Sequence, residues 1–328
     1  MMRQLAVLGI MLLSAGYGYS REAADANAGL APENFPENSK HSPLIPTHAG
    51  VRYGGHDRNQ LDFWQAESEA PTPLVIIIHG GGWTSGDKAN VPLNSSFPNV
   101  RALLGNGISV AAINYRLVGK HTDGVTPPVK ASLEDAARAV QFIRSKARDW
   151  NIDKERIAAA GNSAGGCSSL WLAYHDDLAD PESTDPVARE STRLWCAVGS
   201  GAQSTLDPQQ MRDWFGDAAV YGGHAFGMKD FAEFLAARES LLPWIAEYSP
   251  YALVSRGDPP VCLFYGDRPP ALGIPSDAVH GANFGVGLQQ RCAEVGVECQ
   301  VVFPGAANVK YTSPLAYLIA KLKAQARR

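Results

Sequence analysis

The sequence lacks both a long apolar run and a block of basic residues. No stretch after the N-terminal segment approaches the 18 or so apolar residues that a membrane-crossing helix needs. Lys and Arg number 29 against 33 Asp and Glu, for a net charge of -4, and they are not clustered. Charge therefore gives no reason to expect nucleic acid or an anionic membrane as a partner. Small neutral or weakly charged ligands fit better.

Metal-binding and nucleotide-binding motifs are also missing. There is no H-x-x-x-H pair and no cysteine cluster, so the sequence predicts no metal site. The glycine-rich stretch "GNSAGG" lacks the G-x-G spacing and the acidic residue of a dinucleotide site, and no P-loop is present. We therefore expect neither a metal nor an organic cofactor.

Cysteine is scarce, with five residues in the chain. Cys167, Cys196 and Cys262 fall in apolar segments, where buried thiols usually serve packing. Cys292 and Cys299 lie near a predicted helix end and a predicted strand start, where they could form a disulfide or stay as thiols. Both states are open, because a disulfide depends on a Cβ geometry that spacing does not give.

The N-terminal segment is typical of an exported protein. Residues 1–20 place Arg3 before the apolar run Leu5–Leu13 and then small residues, which predicts a secretory signal peptide; a short buried helix is the alternative. Residues 21–48 are rich in Pro, Asn, Ala and Ser and predict an irregular arm or linker. Residues 49–328 are then expected to form one domain, secreted or periplasmic.

Eight strand-like segments follow, mostly with helical stretches between them. The later ones are continuously apolar, as parallel strands covered on both faces are. This alternation predicts an α/β fold with a mostly parallel central sheet of about eight strands and helices on both faces. The predicted strands are 51–55, 61–64, 74–80, 108–115, 156–162, 194–200, 261–266 and 299–305.

The helix before the fifth strand has the clearest pattern. Ser132 and Asp135 resemble a capping box and predict that the helix starts there. One buried face follows at helical spacing. Its members are Leu133, Ala136, Val140, Ile143 and Ala147.

The stretch "GNSAGG" has the G-x-S-x-G form between an apolar strand and a helix. Such a tight turn holds the central residue, Ser163, in a strained conformation that lifts its hydroxyl above the sheet. A Cβ at Gly161 or Gly165 would collide with neighbouring backbone. Ser163 would also sit at a helix N-terminus, where the amide of Ala164 can stabilise an anion. An incidental serine in a glycine turn is the alternative.

A second element stands about 80 residues upstream. The stretch "HGGGW" begins at His79, directly after a very apolar strand. Its successive glycines leave backbone amides unobstructed, so Gly81 and Gly82 can point N–H groups at a carbonyl oxygen that becomes negative. Together with the serine turn it favours an oxyanion hole over a merely flexible loop.

From about Tyr53 to the C-terminus the chain resembles α/β-hydrolases of the hormone-sensitive lipase and carboxylesterase type, especially secreted esterases similar to acetyl xylan and feruloyl esterases. The shared landmarks are "YGGHDRNQLDFW", "HGGGWTSGDK", "AAINYRL", "SLEDAARAVQFIRSKARDWNIDKERIAAAGNSAGG" and "VVFPG". The resemblance implies Ser163 as nucleophile and the amides of Gly81, Gly82 and Ala164 as the oxyanion hole. It also implies an acid after the seventh strand and a histidine after the last.

The expected histidine position holds Asn308, and no histidine follows residue 280. A serine hydroxyl needs a base at neutral pH. His280 lies in the loop after the seventh strand, three residues beyond Asp277, which occupies the usual acid position; Asp267 is a second candidate acid. We therefore predict His280 as a relocated general base oriented by Asp277 or, less favourably, Asp267. A loop histidine that only bonds the backbone is the alternative.

Two functions follow from these patterns. The first is a serine carboxylic ester hydrolase acting on short acyl esters, including esters attached to carbohydrate, through an acyl-enzyme intermediate. The second is a catalytically impaired homologue that binds a small molecule, since gibberellin receptors resemble hormone-sensitive lipases that lost the histidine and kept the pocket. The two differ in whether His280 reaches Ser163.

Overall fold

The apolar segments of the chain form one eight-stranded sheet. In the computed structural model, residues 44–93, 99–122, 124–269 and 277–324 are described. The predicted signal peptide and most of the predicted arm lie outside these residues. The strands are β1 His48–Arg52, β2 Gln60–Trp64, β3 Thr72–Ile78, β4 Ser109–Ile113, β5 Ile152–Asn162, β6 Cys196–Ser200, β7 Val261–Phe264 and β8 Cys299–Val302.

The strand order across the sheet is β1-β2-β4-β3-β5-β6-β7-β8. β1 and β2 pair antiparallel, β2 also pairs antiparallel with β4, and all further pairs are parallel. The chain leaves β3 toward β4 and leaves β5 toward β6, in opposite directions. This reversal makes a crevice at the carboxyl ends of β3 and β5, the usual place for a ligand site in an open α/β sheet.

Helices cover both faces of the sheet, which confirms the predicted fold class. In β3, Ile76 and Ile78 pack into one apolar cluster, while Val75 and Ile77 pack into the other. The helices α2, α3 and α8 contribute to the first cluster, and α1 and α9 to the second. Within the described residues the α-helices are α1 Val100–Gly105, α2 Pro128–Ser145, α3 Ala164–Tyr174, α4 Pro208–Phe215, α5 Phe231–Ala236, α6 Arg238–Tyr248, α7 Pro250–Leu253, α8 Asn283–Val295 and α9 Pro314–Leu322.

The described residues also contain short 3₁₀ turns. They span Lys88–Leu93, Gly216–Ala218 and Gly223–Phe226. In the part of the chain described above, no helix has the length and apolar character needed to cross a bilayer.

The predicted start of α2 is wrong. The helix begins at Pro128, and Ser132 and Asp135 lie inside it, both buried. Their side chains hold Arg116 instead of capping: Ser132 Oγ donates to the Arg116 carbonyl at 2.7 Å, and the Asp135 carboxylate pairs with the Arg116 guanidinium at 2.7 Å. Proline at the first helical position has the right φ and no N–H to satisfy, so it starts the helix without a capping side chain.

Candidate active site

Ser163 occupies a strained turn between β5 and α3. Its φ of +51° and ψ of -125° lie outside the regions that residues with a side chain normally adopt. The turn is tight because glycines flank it: a Cβ at Gly161 would lie 2.1 Å from the Gly165 carbonyl, and one at Gly165 would lie 2.1 Å from the Ile78 carbonyl oxygen. Close contact with β3 and α3 therefore forces the serine above the sheet edge.

The predicted base and acid reach this serine in a hydrogen-bonded chain. Ser163 Oγ lies 3.0 Å from His280 Nε2, and His280 Nδ1 lies 2.6 Å from Asp277 Oδ2. A carboxylate can only accept a hydrogen bond, so His280 Nδ1 carries a hydrogen and donates a hydrogen bond to Asp277. The lone pair of Nε2 then faces the serine hydroxyl. This is the tautomer that a general base needs.

Asp277 is held by the backbone of its own loop. Its Oδ1 accepts from the amides of Val279 at 3.0 Å and His280 at 3.2 Å. The carboxylate plane is thus set by the chain, and Oδ2 is left for the imidazole. The structure pairs His280 with Asp277, whereas the other candidate acid, Asp267, is exposed.

Asn308, at the position where the resemblance implies a histidine, lies in the turn after β8. Its side chain is exposed and its φ is +56°, a left-handed value that asparagine tolerates. The residue therefore serves a surface turn in this structure, and the chain from Ser163 runs to His280.

The direction of the Gly82 N–H group is set by the Gly81 carbonyl, which belongs to the same peptide unit. The Gly81 carbonyl accepts from the amides of Thr84 at 3.0 Å and Ser85 at 3.1 Å and from both hydroxyls, at 3.1 and 3.2 Å. In a trans peptide the C=O and N–H point in opposite directions. Because four donors from Thr84 and Ser85 hold the Gly81 carbonyl, the Gly82 N–H points away from these two residues.

The Gly81 N–H is aimed in the same way. The Gly80 carbonyl accepts from His79 Nδ1 at 2.9 Å and from the Tyr115 hydroxyl at 3.3 Å. Among the described residues, neither the Gly81 nor the Gly82 amide has a protein acceptor. Both are therefore available to an incoming oxygen, together with the Ala164 amide in the first turn of α3, where helix amides have no intrahelical partner.

His79 supports the loop and is not a base. Its ring stacks on Tyr115 at 4.2 Å, and Nε2 accepts from Arg58 at 3.2 Å. Burial lowers the pKa of His79 to about 4, against a partial opposing effect of the bond to Gly80. The ring is therefore neutral at physiological pH, with its proton on Nδ1 facing the Gly80 carbonyl.

This burial predicts acid sensitivity of the fold. Between pH 4 and 6.5 the unfolded chain binds more protons than folded His79 does, so the free energy of unfolding falls as the pH drops through that window. From pH 7 to pH 5 we expect this histidine to remove about 2 kcal/mol. Urea unfolding at the two pH values measures the slope, and His79→Asn should flatten it; an unchanged slope in that variant would contradict the assignment.

Sequence analysis could not place three neighbours of the site. His224 Nε2 donates to the Gly82 carbonyl at 2.9 Å, and burial lowers the pKa of this histidine, which favours the neutral ring. The Tyr221 ring lies against His224, with centroids 5.1 Å apart. Gln203 contacts the His280 loop. All three come from connections without periodicity, so no pattern in the sequence could have placed them.

The cysteines contribute no chemistry to this site. All five are free thiols, including Cys292 and Cys299, which form no disulfide. Over the described ranges, no group of three or more His, Cys, Asp or Glu side chains is arranged to hold a metal ion.

The chain is similar to known proteins in sequence and in fold. Residues 61–275, about two thirds of the chain, match the family BD-FAE. Among curated relatives, carboxylesterase NlhH of Mycobacterium tuberculosis is 32% identical over 112 residues, covering 34% of this chain and 32% of that protein. The probable isoprenylcysteine alpha-carbonyl methylesterase ICMEL1 of Arabidopsis thaliana is 26% identical over 78% of this chain and 50% of its own. The chain thus spans half or less of these two relatives.

Solved structures share the fold. A truncated carbohydrate esterase from gut microbiota is 20% identical with a TM-score of 0.63, covering 84% of this chain and 95% of that one. An acetyl ester-xyloside bifunctional hydrolase from Caldicellulosiruptor lactoaceticus is 22% identical with a TM-score of 0.57, covering 80% and 87%. At such identities the likeness establishes the architecture alone.

Proposed function

Because this chain belongs to the BD-FAE family, we propose that it is a serine carboxylic ester hydrolase with Ser163 as nucleophile and His280 as a relocated general base. The observation that carries the proposal is the chain of contacts from Ser163 Oγ through His280 to Asp277, at 3.0 and 2.6 Å. A binding protein with a vestigial serine would have no need of an imidazole lone pair held at hydrogen-bonding distance from that hydroxyl.

The reaction follows from the positions of these groups. As Ser163 Oγ attacks the acyl carbon, its proton passes to His280 Nε2, and the imidazolium is stabilised by Asp277. The carbonyl oxygen becomes negative and is met by the amides of Gly81, Gly82 and Ala164. His280 then protonates the departing alcohol. Water, deprotonated by the same nitrogen, attacks the acyl-enzyme; the bond from the acyl carbon to Ser163 Oγ breaks, His280 Nε2 returns its proton to that oxygen, and the acid is released.

The proposed substrate is a short acyl ester, including one whose alcohol is a sugar hydroxyl. His224 and Tyr221 lie beside the oxyanion loop, since a Cβ built on Gly82 would be in van der Waals contact with His224 Nε2 at 3.6 Å and with the Tyr221 hydroxyl at 3.9 Å. The likeness to an acetyl ester-xyloside hydrolase supports a small acyl group. Similarity to a carbohydrate esterase and to an acetyl ester-xyloside hydrolase supports a sugar-linked alcohol. Export, proposed from residues 1–20, would suit such a substrate.

Two measurements test the proposal together. Purified protein should hydrolyse p-nitrophenyl acetate, and a fluorophosphonate should add to Ser163 with one label per chain, located by peptide mass spectrometry. Ser163→Ala should carry no label and should lose turnover. Wild-type protein that neither turns over the ester nor takes the label, while folded by circular dichroism, would overturn the enzyme and favour the small-molecule binder.

A further inference from the structure

One loop lies between the nucleophile and the base. It runs from Ser200, the last residue of β6, to Ser204, and we call it the bridging loop. At its start, the Ser200 carbonyl accepts from the Ser163 amide at 2.9 Å. Gly201, with φ of +54°, lies against the His280 ring: a Cβ built on it would be 3.2 Å from His280 Cβ and 3.4 Å from Cδ2. The loop therefore contacts both members of the proton-transfer pair.

Gln203 extends from this loop to the backbone that carries His280. Its side-chain Nε2 donates to the Val279 carbonyl at 2.5 Å and more weakly to the Gly201 carbonyl at 3.4 Å. The N–H of the same Val279–His280 peptide donates to Asp277 Oδ1 at 3.2 Å. The peptide that precedes the histidine is thus held on its carbonyl side by Gln203 and on its amide side by the acid.

The Gln203 side chain is fully buried, and its Oε1 has no hydrogen-bond partner among the described residues. The amide orientation is settled by its surroundings, because the reverse orientation would set Oε1 against two carbonyl oxygens. A buried acceptor without a partner is costly, and an apolar side chain of the same size would avoid that cost. The bond to Val279 is what a glutamine adds at this position.

The bridging loop is itself anchored on both sides of Gln203. The Tyr265 hydroxyl donates to the Ala202 carbonyl at 2.8 Å, and Ser204 Oγ donates to the Phe284 carbonyl, in the first turn of α8, at 2.7 Å. Both anchors are buried. Because the loop is fixed at both anchors, a shift of the Gln203 side chain would move the Val279–His280 peptide that it binds.

We propose that Gln203 is a positioning residue that sets the distance between His280 Nε2 and Ser163 Oγ. The inference rests on the proposed function, since it concerns the proton transfer of that same site. The family resemblance implies a base after β8; here the proposed base lies just before α8, and a glutamine from the loop after β6 binds the peptide next to it.

Gln203→Met tests this role, since methionine keeps the length of the side chain and removes the donor. We expect kcat for p-nitrophenyl acetate to fall about 10- to 100-fold, because a small displacement of a catalytic group has effects of that size, while KM changes by less than about threefold. The rate of fluorophosphonate labelling of Ser163 should fall in parallel.

Gln141→Met is the matched control. Gln141 is also buried, and its Nε2 donates to three loop carbonyls, those of Leu178, Ala188 and Glu190, none of them in the proposed site. We expect this variant to lower the unfolding midpoint and to keep kcat within about twofold. A loss of kcat in Gln203→Met that merely matches its fraction of unfolded protein would overturn the inference.

Gly201→Ala disturbs the position of His280 directly, through its ring. This variant tests the positioning role if Gln203→Met does not fold. Its methyl group would press on His280, so kcat should fall with KM nearly unchanged. Normal kcat in a folded Gln203→Met, or in folded Gly201→Ala when the first variant is lost, overturns the positioning role. If wild type hydrolyses the ester and His280→Ala does not, such a result removes the inference alone; if wild type is inactive, both fall.

Discussion

Replacing His280 with alanine is expected to lower kcat for p-nitrophenyl acetate by about 10⁴- to 10⁶-fold, the range seen when one member of a catalytic triad is removed. The reason is the single contact at 3.0 Å between His280 Nε2 and Ser163 Oγ, which is the route for the serine proton. KM should change little, because the imidazole is proposed to act on the proton and not to bind the ester. A residual rate above that of water is expected from the oxyanion amides.

Asn308→Ala is the control for this variant. Asn308 stands where the resemblance implies a histidine, yet its side chain is exposed in a turn. Its replacement should leave kcat within about twofold of wild type. Full activity in His280→Ala, or a large loss in Asn308→Ala, would show that the proton leaves the serine by another route.

Gly165→Ala is expected to abolish folding or to lower the free energy of unfolding by more than about 3 kcal/mol, at the extreme of single substitutions. The added Cβ would lie 2.1 Å from the Ile78 carbonyl oxygen and 2.7 Å from that of His79. Both are backbone atoms, one in the last residue of β3 and the other in the residue after it, and β3 is paired on both sides by β4 and β5. Neither of these backbone oxygens can move aside, so α3, which follows Ser163, would have to move away from the sheet.

Chemical denaturation and the soluble yield measure this effect. Gly55→Ala is a matched control, because a Cβ built on Gly55 has no neighbour within 4 Å and its backbone is not in the left-handed region. That variant should stay within about 0.5 kcal/mol of wild type. A stable, active Gly165→Ala protein would mean that the approach of α3 to β3 is looser than the structure has it.

Strand positions could be predicted because burial on both faces leaves a local trace. Ile76 and Ile77 point to opposite faces of the sheet and both are buried, so the segment reads as continuously apolar whatever its neighbours are. The start of α2 could not be predicted in this way. Ser132 and Asp135 have the residue types of a cap, but their partner is Arg116 on another segment, and the sequence does not say which contact wins.

Ser163 and the glycines around it could be predicted for a steric reason. A turn that brings a helix backbone into contact with a strand excludes side chains at fixed positions, so glycines occur at a fixed spacing around the serine in the sequence. The proposed base is a different case. The sequence suggested His280 only by its position in the chain. Its distance from Ser163 depends on where residues 277–282 lie relative to the bridging loop.

The sequence by itself determined the approximate strand positions, the strained serine turn and the glycine loop proposed as the oxyanion hole, because each depends on residues adjacent in the chain. Only the tertiary structure decided that Asp277 and not Asp267 faces His280, that Asn308 stays at the surface, and that Gln203 and His224 hold the site from other loops. These contacts join residues far apart in the chain. They depend on where separate connections meet at the carboxyl edge of the sheet, which no local pattern encodes.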